Sequence, residues 1–318
     1  MSSKTPRLSL AMIEKAAARI RPHILRTPSI PAEHVRDRPV GNPIHLKLES
    51  LQVTGSFKTR GVMNRLMTTP REALDKGIVT ASGGNHGMAV ARAGLVAGVG
   101  AKVFLPPQAS VAKLRGLKEW GADVEVVGER WDDADQRARA YADETGAVYF
   151  HPFKDIEVIA GQGTVALEML EAVPDADVYL VAIGGGGLIA GLSTVIKARK
   201  PRARVIGVEP VGSPTLHASL AAGKVVTLDS TTTRVATMSC GRTDEAVYDV
   251  IAQNIDQVVL VQDDDLVDAA RWILSEFAIR ADLSAAAGIA ALRKGRVDLA
   301  PHETIHTLIC GADDAALG

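Results

Sequence analysis

Lys58 is the side chain in this chain best placed for covalent chemistry, because its amine lies between a turn and the start of a predicted helix. A strand-like run, 44–48, precedes it, residues 54–56 interrupt the hydrophobic periodicity, and residues 59–66 have helical spacing. The positive end of a helix and partial burial both lower the pKa of an ammonium group. A lysine that is neutral near working pH can form an imine with a carbonyl compound. This spacing alone, however, fits an ordinary surface lysine at a helix start better.

A second loop, residues 81–87, lies between a predicted strand at 78–80 and a predicted helix at 85–97. Its sequence is Ala-Ser-Gly-Gly-Asn-His-Gly. Small residues at a helix N-terminus expose backbone N–H groups that can bind a carboxylate, and the Asn85 side chain can hydrogen-bond an oxygen. A plain turn with Ser82 or Asn85 as the helix cap explains the loop equally well.

The third loop is Gly184-Gly185-Gly186-Gly187-Leu188, between a predicted strand at 178–183 and a predicted helix at 188–199. A flexible linker would not separate a buried strand from an amphipathic helix. Backbone donors and the helix dipole converge on an anion at such a position, so the loop predicts a phosphate site.

A nicotinamide-dependent oxidoreductase is the competing interpretation of this loop. Residues 185–190 match G-x-G-x-x-A, and Glu209 ends the next predicted strand, where a dinucleotide-binding unit places its ribose carboxylate. This interpretation leaves Lys58 and the 82–86 loop unexplained. A P-loop is excluded because no Gly-Lys-Ser/Thr follows the glycines.

Strands and helices alternate along most of the chain, which predicts a mostly parallel sheet covered by helices on both faces. The remaining predicted strands are 101–105, 123–127, 204–208, 257–261 and 304–309. The remaining predicted helices are 111–120, 132–145, 156–171, 264–277 and 284–293. No linker divides the chain, so we expect the second domain to be an insertion at residues 53–148, with its own strands and helices.

The composition favours a small-molecule enzyme. The chain has 318 residues and a formal net charge of −1, so no basic surface for nucleic acid or an anionic membrane is expected. Its two cysteines, Cys240 and Cys310, are too few for a disulfide framework and are not spaced for zinc, which fits the cytoplasm. Residues 1–10 contain no apolar run that could act as a signal peptide.

Taken together, the three loops resemble those of fold-type-II pyridoxal-phosphate enzymes, specifically the serine/threonine dehydratase and serine racemase group. The resemblance spans nearly the whole chain, in the stretches 21–28, 49–61, 82–87, 151–153, 159–164, 184–187, 207–210 and 310–311. It implies a tryptophan-synthase-β-like α/β fold with two open, twisted, mostly parallel sheets flanked by helices. It also implies a large cofactor domain, 1–52 and 149–318, around a small mobile substrate domain, 53–148.

The resemblance assigns roles to individual residues. Lys58 would form the covalent imine with pyridoxal 5'-phosphate, and Phe57 would neighbour the cofactor. Asn85 would bond the 3-hydroxyl oxygen of the pyridine ring, and Cys310 would face the ring nitrogen. The phosphate would lie on Gly184, Gly185, Gly186, Gly187 and Leu188, and the substrate carboxylate on Ser82, Gly83, Asn85 and His86.

The implied reaction is β-elimination from L-threonine or L-serine to a 2-oxo acid and ammonia, with Lys58 as the base. A thiol at the ring nitrogen favours elimination over transamination, because the ring is then a weaker electron sink. Serine racemase and 3-hydroxyaspartate dehydratase are the alternatives within the group. Cytoplasmic enzymes of this size are often symmetric dimers, so we expect a homodimer. Biosynthetic threonine deaminases add a regulatory domain after the catalytic core, whereas this chain stops at Gly318, so we expect no C-terminal regulatory domain and no feedback by isoleucine.

Four departures from the group narrow these expectations. Gly83 stands where racemases have a serine that serves as the opposite-face acid, which favours dehydration. Thr215 stands where some relatives have a metal-binding aspartate beside Glu209 and Ser213, so no metal site is expected. Arg234, ahead of 235–237, is either solvated or able to receive an acidic substrate side chain. Asp282-Leu283-Ser284 replaces Glu-Pro-Ser/Thr, which predicts a different pocket floor.

Overall fold

The computed structural model describes residues 7–107, 111–129 and 131–313, so the ends of the predicted large domain, 1–6 and 314–318, lie outside it. Its strands are β1 (Ser29–Pro31), β2 (Ile44–Leu48), β3 (Ile78–Ala81), β4 (Ala101–Leu105), β5 (Asp123–Val126), β6 (Val148–Tyr149), β7 (Val178–Ala182), β8 (Arg204–Pro210), β9 (Gln257–Val261) and β10 (Ile305–Ile309). Its helices are α1 (Leu10–Ile20), α2 (Lys58–Thr68), α3 (Arg71–Leu74), α4 (Asn85–Ala97), α5 (Val111–Glu119), α6 (Trp131–Thr145), α7 (Ile156–Ala172), α8 (Gly187–Arg199), α9 (Thr215–Ala222), α10 (Glu245–Asn254), α11 (Asp263–Phe277) and α12 (Ala287–Arg293).

The strands form two sheets. The 6-stranded sheet has the order β1-β2-β10-β7-β8-β9, and the 4-stranded sheet has the order β5-β4-β3-β6. All neighbours pair in parallel except β1 with β2. The predicted α/β fold with two mostly parallel sheets is confirmed.

The inner strands of the 6-stranded sheet are apolar along their length. In β10 every residue is buried, and in β7 four of the five residues are. Helices on both faces exclude water from such strands, which is the pattern that parallel sheets require. Glycines let these helices pack closely: a Cβ at Gly191 of α8 would lie 2.6 Å from the Ile159 carbonyl oxygen of α7.

The elements that the sequence did not predict include two very short strands. Strand β6 has two residues and is defined by its pairing of Val148 with Ile78 and of Tyr149 with Val79. Strand β1 has three residues and, within the described part of the chain, pairs with β2 alone. Such segments are too short to have a hydrophobic period, so tertiary pairing decides them. Helices α1, α3, α9 and α10 were also not predicted.

The two sheets use separate parts of the chain. The 4-stranded sheet takes its strands from residues 78–149, and the 6-stranded sheet takes its strands from 29–48 and 178–309. We therefore retain the division into an inserted domain, 53–148, and a larger one as a proposal. Strands β2, β10 and β7 end at one edge, and β3 ends at the second loop, so all three candidate loops follow carboxyl ends of parallel strands.

Candidate active site

Lys58 is the first residue of α2, one residue before the predicted helical stretch and at the helix N-terminus where the sequence placed it. The preceding turn places Thr54 at φ 67° and Gly55 at φ 76°, which turns the chain sharply before the helix. The Lys58 amine is half-buried and donates to the Pro152 carbonyl oxygen at 2.8 Å. Burial lowers its pKa to about 8, against smaller opposing effects of Cys310 and Cys240. A lysine in this state is a nucleophile and a base near neutral pH.

A buried ion-pair network holds the helix that carries Lys58. Arg60 is fully buried and contacts Glu49 and Glu168, each at 2.7 Å. Lys47 of β2 contacts the second carboxylate oxygen of Glu168 at 2.5 Å. Because breaking one partner of a buried pair is costly, this network ties the start of α2 to β2 and α7.

The glycine loop leaves a row of backbone donors open. None of the described residues accepts a hydrogen bond from the N–H groups of residues 184–188. Gly186 has φ 89°, and a Cβ at Gly184 would lie 2.7 Å from the Thr237 carbonyl oxygen, so side chains are excluded. The Leu188 side chain packs in the core, which leaves only its N–H for a ligand. Open N–H groups at the N-terminus of a helix such as α8 can bind an anion.

The second loop also presents backbone donors, but the side chain of its His86 points into the protein. The N–H groups of Gly83, Asn85 and His86 have no acceptor among the described residues, whereas Ser82 Oγ accepts from the Gly84 N–H at 3.3 Å. The His86 ring is buried, with Nε2 3.0 Å from the Phe150 carbonyl oxygen. Burial and the nearby Lys58 charge lower its pKa to about 3. His86 therefore offers a carboxylate its N–H rather than its side chain.

Cys310 directly follows β10, at the centre of the site. It is buried, and its carbonyl oxygen accepts from the Phe57 N–H at 3.1 Å. Its sulfur lies 3.5 Å from Ser284 Oγ, and burial together with the Asp282 charge raises the pKa of the thiol above its usual range. The thiol is therefore neutral at physiological pH.

Residues 150–153 connect these parts of the site. Pro152 binds the Lys58 amine, and a Cβ at Gly187 would lie 2.6 Å from the Phe153 carbonyl oxygen. The Phe57 ring centroid is 5.2 Å from the Lys58 amine. The structure thus brings together Lys58, Phe57, the glycine loop and Cys310. The second loop joins them, because His86 contacts Phe150 and Asn85 contacts Asp282.

Comparison with known proteins identifies the family. Residues 20–311 match the family model described as "Pyridoxal-phosphate dependent enzyme". The chain belongs to this family. It is 38% identical over 307 residues to the L-threonine ammonia-lyase of Geobacter sulfurreducens, covering 96% of this chain and 76% of that protein.

Solved structures of the same family superimpose closely. The serine racemase of maize has a TM-score of 0.91 at 33% identity and covers 96% of this chain and 94% of that one. A threonine deaminase from T.th. has a TM-score of 0.88 at 32% identity and covers 96% of this chain and 98% of that one. The protein is a pyridoxal-phosphate dependent enzyme with the type II fold.

The residues present fit this cofactor. The open N–H groups of 184–188 suit its phosphate, and the Lys58 amine, with its lowered pKa, suits its aldehyde. Asn85 and Cys310 offer polar groups for the ring edge. That these residues perform those roles remains a prediction from the sequence.

The structure also bears on the nicotinamide interpretation and on the metal site. Both Glu209 carboxylate oxygens accept backbone N–H groups of α9, from Leu216 at 2.8 Å and His217 at 2.9 Å. Glu209 therefore caps this helix and is not open to a ribose, which counts against the nicotinamide interpretation. Among residues 7–107, 111–129 and 131–313 no cluster of three or more His, Cys, Asp or Glu side chains could hold a metal ion.

Arg234 lies at the surface, with a side chain 58% exposed and paired with Asp264. Its placement is that of the solvated arginine rather than a receptor for an acidic substrate.

Within the described part of the chain, no helix combines the length and apolar character needed to cross a bilayer.

Sequence reasoning gave no role to Pro152 or Phe153, which contact the site, and named Asp282 and Ser284 only as part of the pocket floor. Asp282 differs from the Glu-Pro-Ser/Thr pattern of the group, which was the one signal available for it. Its carboxylate accepts from Asn85 Nδ2 at 2.9 Å and from Ser284 Oγ at 2.6 Å. Asn85 is therefore already bonded on the side of its amide nitrogen.

Proposed function

We propose that this enzyme is an ammonia-lyase that removes the β-hydroxyl group of L-threonine or L-serine and releases a 2-oxo acid and ammonia. The observation that carries the proposal is the Lys58 amine, which has a pKa of about 8 and no carboxylate partner among the described residues. The substrate class is supported by the similarity to L-threonine ammonia-lyase over almost the whole chain.

The proposed roles follow from the chemistry of each group. The N–H groups of residues 83, 85 and 86 would bind the substrate carboxylate, and those of 184–188 the cofactor phosphate. When bound, pyridoxal phosphate delocalises the negative charge that develops at Cα. Lys58 would take the Cα proton as general base, from a helix start that the Arg60 ion pairs hold in place. The neutral Cys310 thiol would lie at the ring nitrogen and disfavour charge storage on the ring, so loss of hydroxide is preferred.

The decisive assay measures ammonia and 2-oxo acid release from L-threonine, L-serine, their D-isomers and threo-3-hydroxyaspartate. We expect L-threonine or L-serine to be the best substrate and ammonia to equal 2-oxo acid. No release from any of them, or the highest kcat/KM on hydroxyaspartate, would contradict the proposal.

Serine racemase is the second candidate function, because a serine racemase superimposes with a TM-score of 0.91. Racemisation requires a proton donor on the face of Cα opposite the lysine. Gly83 has no side chain to supply it, so we propose dehydration as the main activity.

Gly83→Ser should therefore introduce racemase activity. A hydroxyl at this position would add the missing acid, which typically contributes about 10²-fold or more to a proton transfer. Chiral chromatography of serine after incubation should detect D-serine with Gly83→Ser and almost none with the wild type. Gly84→Ser, one residue along the same loop, is the matched control and should produce no D-serine. A wild type that forms D-serine as fast as pyruvate would refute the assignment.

We also infer that the enzyme acts in the cytoplasm as a homodimer on a small-molecule substrate. The two cysteines are unpaired, and the net charge of −1 offers no attraction to nucleic acid or a membrane surface. Enzymes of this size commonly form symmetric dimers.

A further inference from the structure

Asp282 is buried and uses both carboxylate oxygens within the site. Oδ1 accepts from Ser284 Oγ at 2.6 Å and from the Ala285 N–H at 2.8 Å, and Oδ2 accepts from Asn85 Nδ2 at 2.9 Å. Asn85 begins α4, beside the 4-stranded sheet, whereas Ser284 lies beside the end of β10. One side chain therefore joins the two sides of the site.

The backbone around Asp282 is adapted to this contact. Its N–H donates to the Gly311 carbonyl oxygen at 3.0 Å. A Cβ at Gly311 would lie 2.7 Å from Asn85 Nδ2 and would also collide with Asp282 Oδ2. Only glycine at 311 leaves room for the carboxylate to reach Asn85.

The contact fixes the orientation of the Asn85 amide. A carboxylate can only accept hydrogen bonds, so Asp282 selects the NH2 end of the amide. The second N–H of Nδ2 and the Oδ1 atom remain for a ligand. Without Asp282 the Asn85 amide could turn over. Its oxygen would then face the 3-hydroxyl oxygen of the cofactor ring, which needs a hydrogen-bond donor.

The same carboxylate sets the hydrogen-bond direction at Cys310. Ser284 has one hydroxyl hydrogen, and it is donated to Asp282, so Ser284 cannot donate to the Cys310 sulfur 3.5 Å away. The negative charge of Asp282 also disfavours a thiolate at Cys310. The thiol therefore keeps its hydrogen and can donate it to an unprotonated ring nitrogen.

We propose that Asp282 is the positioning residue for the cofactor ring, acting on its oxygen side through Asn85 and on its nitrogen side through Ser284 and Cys310. The proposal rests on the ring contacts assigned to Asn85 and Cys310 above. It goes beyond the proposed function because it concerns cofactor binding before any substrate is present.

Asp282→Asn tests it, because an amide has nearly the same shape but cannot accept on both sides: the Ala285 N–H holds its oxygen on the Ser284 side, so its NH2 group faces Asn85 Nδ2. The Asn85 amide must then turn over, which withdraws its N–H groups from the ring oxygen, and the negative charge beside the Cys310 thiol is lost. We expect the Kd for pyridoxal phosphate, measured by titration of the apoprotein, to rise about tenfold, the loss of roughly one hydrogen bond to a charged group. The visible absorbance maximum of the holoprotein should also shift, because the charge near the ring changes.

Asp265→Asn is the matched control. Asp265 is also buried, accepts from the Gln262 N–H at 3.0 Å and pairs with Lys294 at 3.1 Å, away from the site. This variant should lower the melting temperature without changing the cofactor Kd or the spectrum. Asp282→Glu should recover most of the affinity and the wild-type spectrum, because it restores an acceptor-only group.

The outcomes separate this proposal from the proposed function. Unchanged Kd and spectrum in Asp282→Asn would overturn the role of Asp282 whether or not the wild type releases ammonia. A raised Kd and a shifted spectrum support it even if no substrate yields ammonia. If Asp282→Asn does not fold, Ser284→Ala replaces it: its absorbance maximum should shift, and an unmoved maximum would refute the proposal.

Discussion

Lys58→Ala is expected to abolish ammonia release, with kcat/KM falling by about 10³-fold or more, because it removes both the nucleophile for the cofactor and the general base. The variant should also lack the visible absorbance band that borohydride bleaches. Among the described residues the Lys58 amine donates to the Pro152 carbonyl oxygen and has no carboxylate partner, so its loss leaves no buried charge unpaired. The fold should therefore persist, and a circular dichroism melt close to that of the wild type would verify this.

Reductive trapping locates the covalent bond directly. After borohydride treatment of the wild type with pyridoxal phosphate, peptide mass spectrometry should place the label on the peptide that contains Lys58. Lys118→Ala, at an exposed lysine of α5, is the matched control and should keep both activity and label. A label on another lysine, or turnover by Lys58→Ala, would contradict the assignment.

Gly184→Ala is expected to weaken cofactor binding by about 10- to 100-fold. The added Cβ would lie 2.7 Å from the Thr237 carbonyl oxygen, and this backbone contact cannot give way without moving the loop. Overpacking of this kind costs about 1–3 kcal/mol, and each 1.4 kcal/mol is tenfold in an equilibrium constant. The displaced N–H groups would no longer converge on one anion.

The measurement is a titration of the apoprotein with pyridoxal phosphate. Gly100→Ala is the matched control, since a Cβ there meets no atom within 4 Å, and it should bind the cofactor as the wild type does. Equal affinities of Gly184→Ala and the wild type would show that the loop is not the phosphate site. Inorganic phosphate should compete with the cofactor in the wild type and compete more weakly in Gly184→Ala.

The sequence determined the local parts of the site. Three short-range patterns carry the site: Lys58 after a sharp turn, the four glycines after a buried strand, and the 82–87 loop at the start of a helix. The structure has each pattern at the predicted place in the chain. Such patterns are readable because backbone geometry and helix termini depend on neighbouring residues. The resemblance to one family depended on their order along the chain.

Only the tertiary structure decided which side chains meet. Asn85 and Asp282 are separated by 197 residues, and their contact depends on β10, which lies between β2 and β7 and ends just before Cys310. The Arg60 ion pairs and the Phe153 carbonyl oxygen beside Gly187 likewise join distant segments. Hydrogen bonds and packing act over a few ångströms in space, so no local pattern identifies a partner that the fold brings from far along the chain.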